Sequence, residues 1–122
     1  MIQKPYQTEA LDWLESFFKR CKTSNNPRLA YEETTKEWRN VTLNYRPLPS
    51  LPQVPYVCLR IPTGGGKTLI GGLAIERANR SLLYTNYSVT LWLVPSEPIR
   101  EQTLKALRTP SNRLHQAVFS AL

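Results

Sequence analysis

The sequence contains few of the residues that most metal and redox sites use. Among its 122 residues are two cysteines, Cys21 and Cys58, which lie far apart, and a single histidine, His115. No second cysteine or histidine stands at metal-ligand spacing, which excludes a structural zinc site and disfavours a disulfide. The chain also has only one aspartate, Asp12, and therefore no Asp-Glu pair.

Long apolar runs are also missing. No run approaches the roughly 18 residues that span a bilayer, and residues 1–7 lack the apolar stretch of a signal peptide. We therefore expect a cytoplasmic protein with no membrane partner. The length leaves room for one domain at most, and 41% hydrophobic residues are enough to bury a core.

Charge is distributed unevenly along the chain. Residues 1–37 carry six basic and six acidic side chains, whereas residues 38–122 carry ten basic and three acidic ones, which accounts for the whole net charge of +7. A basic surface favours polyanions such as nucleotides and nucleic acids. A solvated basic face with no partner would have the same composition, and composition alone does not choose between the two.

The apolar spacing predicts helices separated by two strands. Residues 5–22 place their apolar side chains on one helical arc, and residues 23–55 form an irregular, Pro-rich insertion in which residues 28–38 could form a short helix. Residues 56–61 and 89–94 are short apolar runs typical of strands buried on both faces. The segments expected to be helical after the insertion are 67–79, about 98–108, and 111 onward. A strand, a helix and a second strand in this order predict a βαβ unit with a parallel sheet.

The most specific pattern is Ile-Pro-Thr-Gly-Gly-Gly-Lys-Thr over residues 61–68, between the first predicted strand and the helix that follows. Glycines let successive backbone N–H groups surround a phosphate, and a helix N-terminus adds partial positive charge. Lys67 would reach the β- and γ-phosphates, and the Thr68 hydroxyl would bind Mg²⁺. Ile61 replaces the first glycine of the usual pattern, and a glycine-rich turn without a ligand remains the alternative. The residues expected to bind nucleotide here are Thr63, Gly64, Gly65, Gly66, Lys67 and Thr68.

Three blocks in order carry a family resemblance: Lys4-Pro5-Tyr6-Gln7, Pro62 to Thr68, and Leu93-Val94-Pro95-Ser96 with Arg100-Glu101-Gln102. They resemble the Q motif, motif I and motif Ia of superfamily 2 DEAD/DEAH-box helicases. The third block is most similar to the Res subunits of type III restriction enzymes. The resemblance implies an α/β fold: residues 1–122 would be the N-terminal part of a RecA-like P-loop NTPase domain, a parallel sheet with flanking helices, truncated at its C-terminus.

The resemblance also implies roles for individual residues. Gln7 would hydrogen-bond the adenine edge, and Lys67 would be the catalytic lysine, with ATP and Mg²⁺ as cofactors. Pro95, Ser96 and Arg100 would contact the DNA backbone without reading sequence. A modification methyltransferase subunit would be a further partner. From the residues alone, Gln7 could equally be an exposed glutamine at a helix start, and Arg100 could form an intramolecular ion pair.

Two functions from different classes follow. In the first, the chain is the ATP-binding part of an ATP-dependent DNA helicase or translocase, the restriction subunit of a type III-like enzyme. In the second, it is a non-catalytic module that binds nucleotide or nucleic acid. ATP hydrolysis by helicases of this class needs an Asp-Glu pair that holds Mg²⁺ and positions the attacking water. The sequence has no such pair, which predicts no hydrolysis by this chain alone and leaves both functions open.

Overall fold

The computed structural model describes residues 4–62 and 66–119, and the chain divides into two compact units, residues 1–60 and 61–122. The first unit contains two packed helices, α1 (Pro5–Ser24) and α2 (Pro27–Arg39). Asn25 ends α1 in the left-handed conformation, at φ 53°. The side chain of Asn26 then accepts the N–H of Leu29 at 3.2 Å and so caps the start of α2. Because the residue that ends α1 directly precedes the one that caps α2, the chain changes direction between the two helices.

The core of the first unit is aromatic. Leu11 and Phe17 on α1 and Ala30 on α2 are fully buried. The Phe17 ring stacks on Trp13 with the centroids 5.5 Å apart, and it meets Tyr31 edge-on at 6.2 Å. Such ring pairs add about 0.5–1.5 kcal/mol each beyond the area they bury. The helix predicted over residues 5–22 is therefore confirmed, together with the apolar arc that packs it.

A single tyrosine anchors the Pro-rich segment that follows α2. Tyr45 is buried, and its hydroxyl accepts the N–H of Tyr56 at 2.9 Å and donates to the carbonyl of Val54 at 3.4 Å. The centroid of its ring lies 5.3 Å from the ring centroid of Tyr31 on α2. These contacts order residues that carry no helix or strand of their own.

The second unit contains three α-helices, α3 (Lys67–Ala78), α4 (Glu97–Arg108) and α5 (Arg113–Phe119), and a five-residue π-helix, Asn79–Leu83, that continues α3. Helix α3 packs against α5 because Gly72 allows close approach: a Cβ at this position would lie 2.6 Å from the Leu114 side chain. The helices predicted over residues 67–79 and about 98–108 are confirmed. None of the helices in the described ranges has the length and apolarity needed to cross a bilayer.

The predicted α/β fold is wrong, because the structure contains no strand within residues 4–62 and 66–119. Residues 56–61 and 89–94 have no regular secondary structure and take part in no ladder. Val89, Leu91 and Leu93, which were expected inside a sheet, are 103%, 83% and 81% exposed. A parallel strand needs neighbours that bond its backbone and cover both faces, and the described residues supply none. An apolar run favours an extended conformation more readily than it determines which strand would pair with it.

Candidate functional site

The start of α3 is built around Gly66. This residue precedes the helix at φ 78° and ψ 36°, a left-handed conformation that strains residues with a Cβ. Its carbonyl accepts the N–H of Ile70 at 3.0 Å, the first bond of the helix. Because glycine has no side chain, Gly66 provides no side-chain cap for α3. The predicted residues Thr63, Gly64 and Gly65 lie outside the described residues.

The charge at this helix start has the sign that attracts an anion. Lys67 and Thr68 are exposed on the first turn, and that turn contains no acidic residue. A cation at a helix N-terminus opposes the helix dipole at a cost of about 0.3–1 kcal/mol. Ile70, one turn further on, is only 3% exposed and fixes the helix in the unit. A bound phosphate would offset the unfavourable charge, so this helix start favours an anionic ligand.

Gln7 lies in the first turn of α1, in the first unit. Its side-chain oxygen accepts the N–H of Lys4 at 2.9 Å, and the residue is only 8% exposed. The oxygen therefore stabilises the start of α1. The alternative of an exposed glutamine is wrong, because the residue is buried. Its predicted contact with adenine stays a prediction.

The start of α4 carries the three residues expected to contact DNA. Pro95, Ser96 and Arg100 are all exposed. The Ser96 carbonyl accepts the N–H of Arg100 at 3.0 Å, and its hydroxyl does not cap the helix. The Arg100 guanidinium lies 2.8 Å from the carboxylate of Glu97 and 3.2 Å from that of Glu101. Arg100 thus makes the intramolecular ion pairs that the sequence left as its alternative. Exposed pairs are worth about 0.2–1 kcal/mol, so a phosphate could displace them.

A cavity that the sequence did not indicate lies beside the π-helix of the second unit. It measures about 540 Å³ and is lined by Asn79, Arg80, Tyr84 and Tyr87, among others. No motif marks these residues, and a π-helix has no sequence signature comparable to a glycine loop. Two tyrosines three residues apart in an uncharged segment were the only available signal.

The comparison with known proteins decides the family. A family model described as the res subunit of type III restriction enzymes matches residues 1–120. The chain belongs to this family. Res subunits are helicase- and ATPase-related restriction subunits that generally depend on ATP and Mg²⁺, bind DNA and associate with a modification subunit. No curated protein and no solved structure matches the chain.

The residues of this res-family chain fit Mg²⁺ only as an ion that arrives with nucleotide. Mg²⁺ takes six oxygen ligands in an octahedron. The Thr68 hydroxyl on the exposed first turn of α3 offers one oxygen. Within the described residues no group of three His, Cys, Asp or Glu side chains could hold a metal. Phosphate oxygens and water would have to supply the other ligands.

Proposed function

We propose that this chain is the ATP-binding part of an ATP-dependent DNA helicase or translocase, the restriction subunit of a type III-like enzyme. The observation that carries the proposal is the start of α3. Gly66 is left-handed and provides no side-chain cap, and Lys67 lies on a first turn that has no acidic residue. Within a helicase-related family, that arrangement suits a nucleoside triphosphate.

Each residue of the site has a chemical role in this proposal. The N–H groups at the start of α3, with Thr63, Gly64, Gly65 and Gly66, surround the phosphates. The Lys67 ammonium neutralises the β- and γ-phosphates, and Thr68 contributes its hydroxyl to the accompanying Mg²⁺, which supplies further positive charge when bound. For Gln7, in the first unit, we propose separately that its amide hydrogen-bonds an adenine edge, with an oxygen that also accepts the Lys4 N–H.

The chain binds ATP in this account without turning it over. Its one aspartate, Asp12, is exposed on α1, and no Asp-Glu pair occurs in the sequence. The sequence therefore lacks the carboxylate pair that holds Mg²⁺ and orients an attacking water in motor ATPases. This observation also favours a second candidate function, a non-catalytic module that binds nucleotide or nucleic acid.

DNA binding is proposed at the start of α4. Pro95, Ser96 and Arg100 lie together on an exposed helix start, and such positions suit backbone phosphates without sequence readout. Binding would require Arg100 to exchange its bonds with Glu97 and Glu101 for a phosphate.

Titration of labelled ATP against wild type and Lys67→Ala tests the proposal. Loss of one charge-assisted contact should weaken binding roughly 10- to 100-fold. Lys105→Ala removes the same charge from an exposed position on α4 and should leave the affinity unchanged. Equal ATP affinity in wild type and Lys67→Ala would contradict nucleotide binding at α3.

Steady-state phosphate release tests the expectation, common to both candidate functions, that the chain does not hydrolyse ATP by itself. We expect no release from wild type. Release that Lys67→Ala abolishes would show that the chain hydrolyses ATP by itself, and would overturn the account of the missing carboxylates.

A further inference from the structure

The cavity beside the π-helix lies in the second unit and shares no residue with the start of α3. The π-helix Asn79–Leu83 ends at Tyr84, which is left-handed at φ 52° although it is not a glycine. Both features are uncommon and store backbone strain, and both are found disproportionately at functional sites. The strained segment forms part of the wall of the cavity, whose volume of about 540 Å³ lies in the range of ligand sites.

Asn79, one of the residues that line this cavity, carries a buried acceptor without a partner among the described residues. Asn79 is only 7% exposed, and its side-chain oxygen is buried with no hydrogen-bond partner among the described residues. Asn79 also lines a second cavity of about 280 Å³, between Trp92 and Val118. A buried amide oxygen is stable only if a donor reaches it, which a ligand N–H could do.

The lining of the larger cavity combines aromatic side chains with charges of both signs, the acidic one being Glu76. Tyr84 and Tyr87 both line it and are 68% and 70% exposed. Arg80 lines it as well, with a side chain that is 54% exposed and lies 3.3 Å from the carboxylate of Glu76. Exposed tyrosines offer faces on which a flat ring can stack, and a guanidinium can exchange a carboxylate for a phosphate.

We propose that this cavity binds a nucleobase of single-stranded DNA. In this site the base stacks on Tyr84 or Tyr87, its exocyclic amine donates to the Asn79 oxygen, and Arg80 contacts the adjoining phosphate. The site differs from the proposed contacts at α4 because it engages the base, which is accessible only when the strand is unpaired. Adenine and cytosine carry the required amine and thymine does not.

Fluorescence anisotropy with short labelled oligonucleotides of dA, dC or dT, and with a duplex, tests the site without ATP. Wild type should bind dA and dC several-fold more tightly than dT, and single strands more tightly than the duplex. Tyr87→Ala should weaken binding to dA roughly 5- to 100-fold, the usual range for loss of a stacked base. Tyr87→Phe keeps the ring and should stay within about twofold of wild type.

Two further variants isolate the contacts. Tyr56→Ala removes a tyrosine that is 51% exposed in the first unit and should leave the affinity unchanged. Asn79→Leu removes the acceptor at similar volume and should abolish the preference for dA over dT. Because Tyr84 and Tyr87 are exposed, their replacement should preserve the helical circular dichroism spectrum.

Three results would overturn the proposal: equal binding by wild type, Tyr84→Ala and Tyr87→Ala, no preference for single strand over duplex, or competition by free AMP as strong as that by the oligonucleotide. The last result would assign the cavity to mononucleotides. Lys67→Ala should bind dA normally, so the proposed ATP site can fail without affecting this one.

Discussion

The two compact units differ in how fully their apolar side chains are buried and their charged side chains are paired within the unit. The first unit buries Leu11 and Phe17 completely and bonds Arg20 of α1 to Thr34 and Glu37 of α2. The second unit leaves Val89, Leu91 and Leu93 exposed and begins α3 with Lys67 on a first turn that has no acidic residue. The first unit thus contains mainly residues that stabilise the fold, whereas the second contains the residues whose chemistry indicates a ligand.

Truncating one large apolar side chain in each unit should give the largest contrast. Phe17→Ala removes a fully buried ring and should lower the free energy of unfolding by about 3–5 kcal/mol. Leu91→Ala removes a side chain that is 83% exposed and should change it by less than about 0.5 kcal/mol. Urea unfolding followed by far-UV circular dichroism measures both. Similar losses would mean that the segment 89–94 is packed in solution.

The helices could be predicted because their determinants are local. The apolar arc of α1 recurs at helical spacing, Pro5 suits its first turn, and Asn25 accepts a left-handed conformation at its end. The strands could not be predicted in the same way. Residues 89–94 have the composition of a buried strand, but pairing depends on partner residues that the run itself does not specify.

The same distinction applies to the candidate site. Lys67 and Thr68 follow directly from the motif, because the chemistry of a phosphate loop lies in adjacent residues. The partners of Arg100 could not be predicted from its position on an apolar arc. They are the exposed carboxylates of Glu97 and Glu101 on the same helix. The cavity near Asn79 depends on a π-helix that no pattern indicates.

High pH should weaken the first unit. Burial raises the pKa of the Cys21 thiol to about 11 from its ordinary value of 9.0, and burial also raises the pKa of the Tyr45 hydroxyl. A folded-state pKa above the unfolded value means that the stabilisation is complete below pH 9 and declines as the pH rises toward 11. The expected loss is about 1–2 kcal/mol.

Unfolding at a series of pH values checks this, with two cysteine variants as controls. Cys58 is exposed, so Cys58→Ser should keep the decline, whereas Cys21→Ala should reduce it. A thiol reagent should also label Cys58 well before Cys21. Equal labelling rates would contradict the burial of Cys21.

Adjacent glycines on α3 test the packing of the second unit. At Gly72 a Cβ would meet the Leu114 side chain at 2.6 Å, so Gly72→Ala should destabilise the protein by about 1 kcal/mol even after the gain in helix propensity. At Gly71 the nearest atoms belong to Trp92 at 3.3 Å, and Gly71→Ala should be close to neutral. Thermal unfolding compares them. A more harmful Gly71→Ala would disprove the packing of α3 on α5.

The smallest effect is expected at the start of α4. Arg100→Ala should weaken binding to every DNA sequence alike and lower the salt slope by about one or less, as for the loss of one phosphate contact. Arg108→Ala, at the end of the same helix, is the control. Fluorescence anisotropy with two unrelated duplexes across a salt series measures the slope. No difference between the two variants would leave Arg100 a purely intramolecular partner of Glu97 and Glu101.

Lys67 places an unfavourable positive charge at the start of α3, and we expect a bound anion from outside the chain to offset it. Lys67→Glu tests it most directly, by amide hydrogen exchange over Lys67–Ala78 with and without ATP and Mg²⁺. Without nucleotide, the glutamate favours the helix dipole, so exchange should slow by roughly two- to fivefold, equivalent to about 0.3–1 kcal/mol. ATP should protect wild type and have no effect on Lys67→Glu. Faster exchange in Lys67→Glu, or equal protection of both proteins by ATP, would contradict the claim.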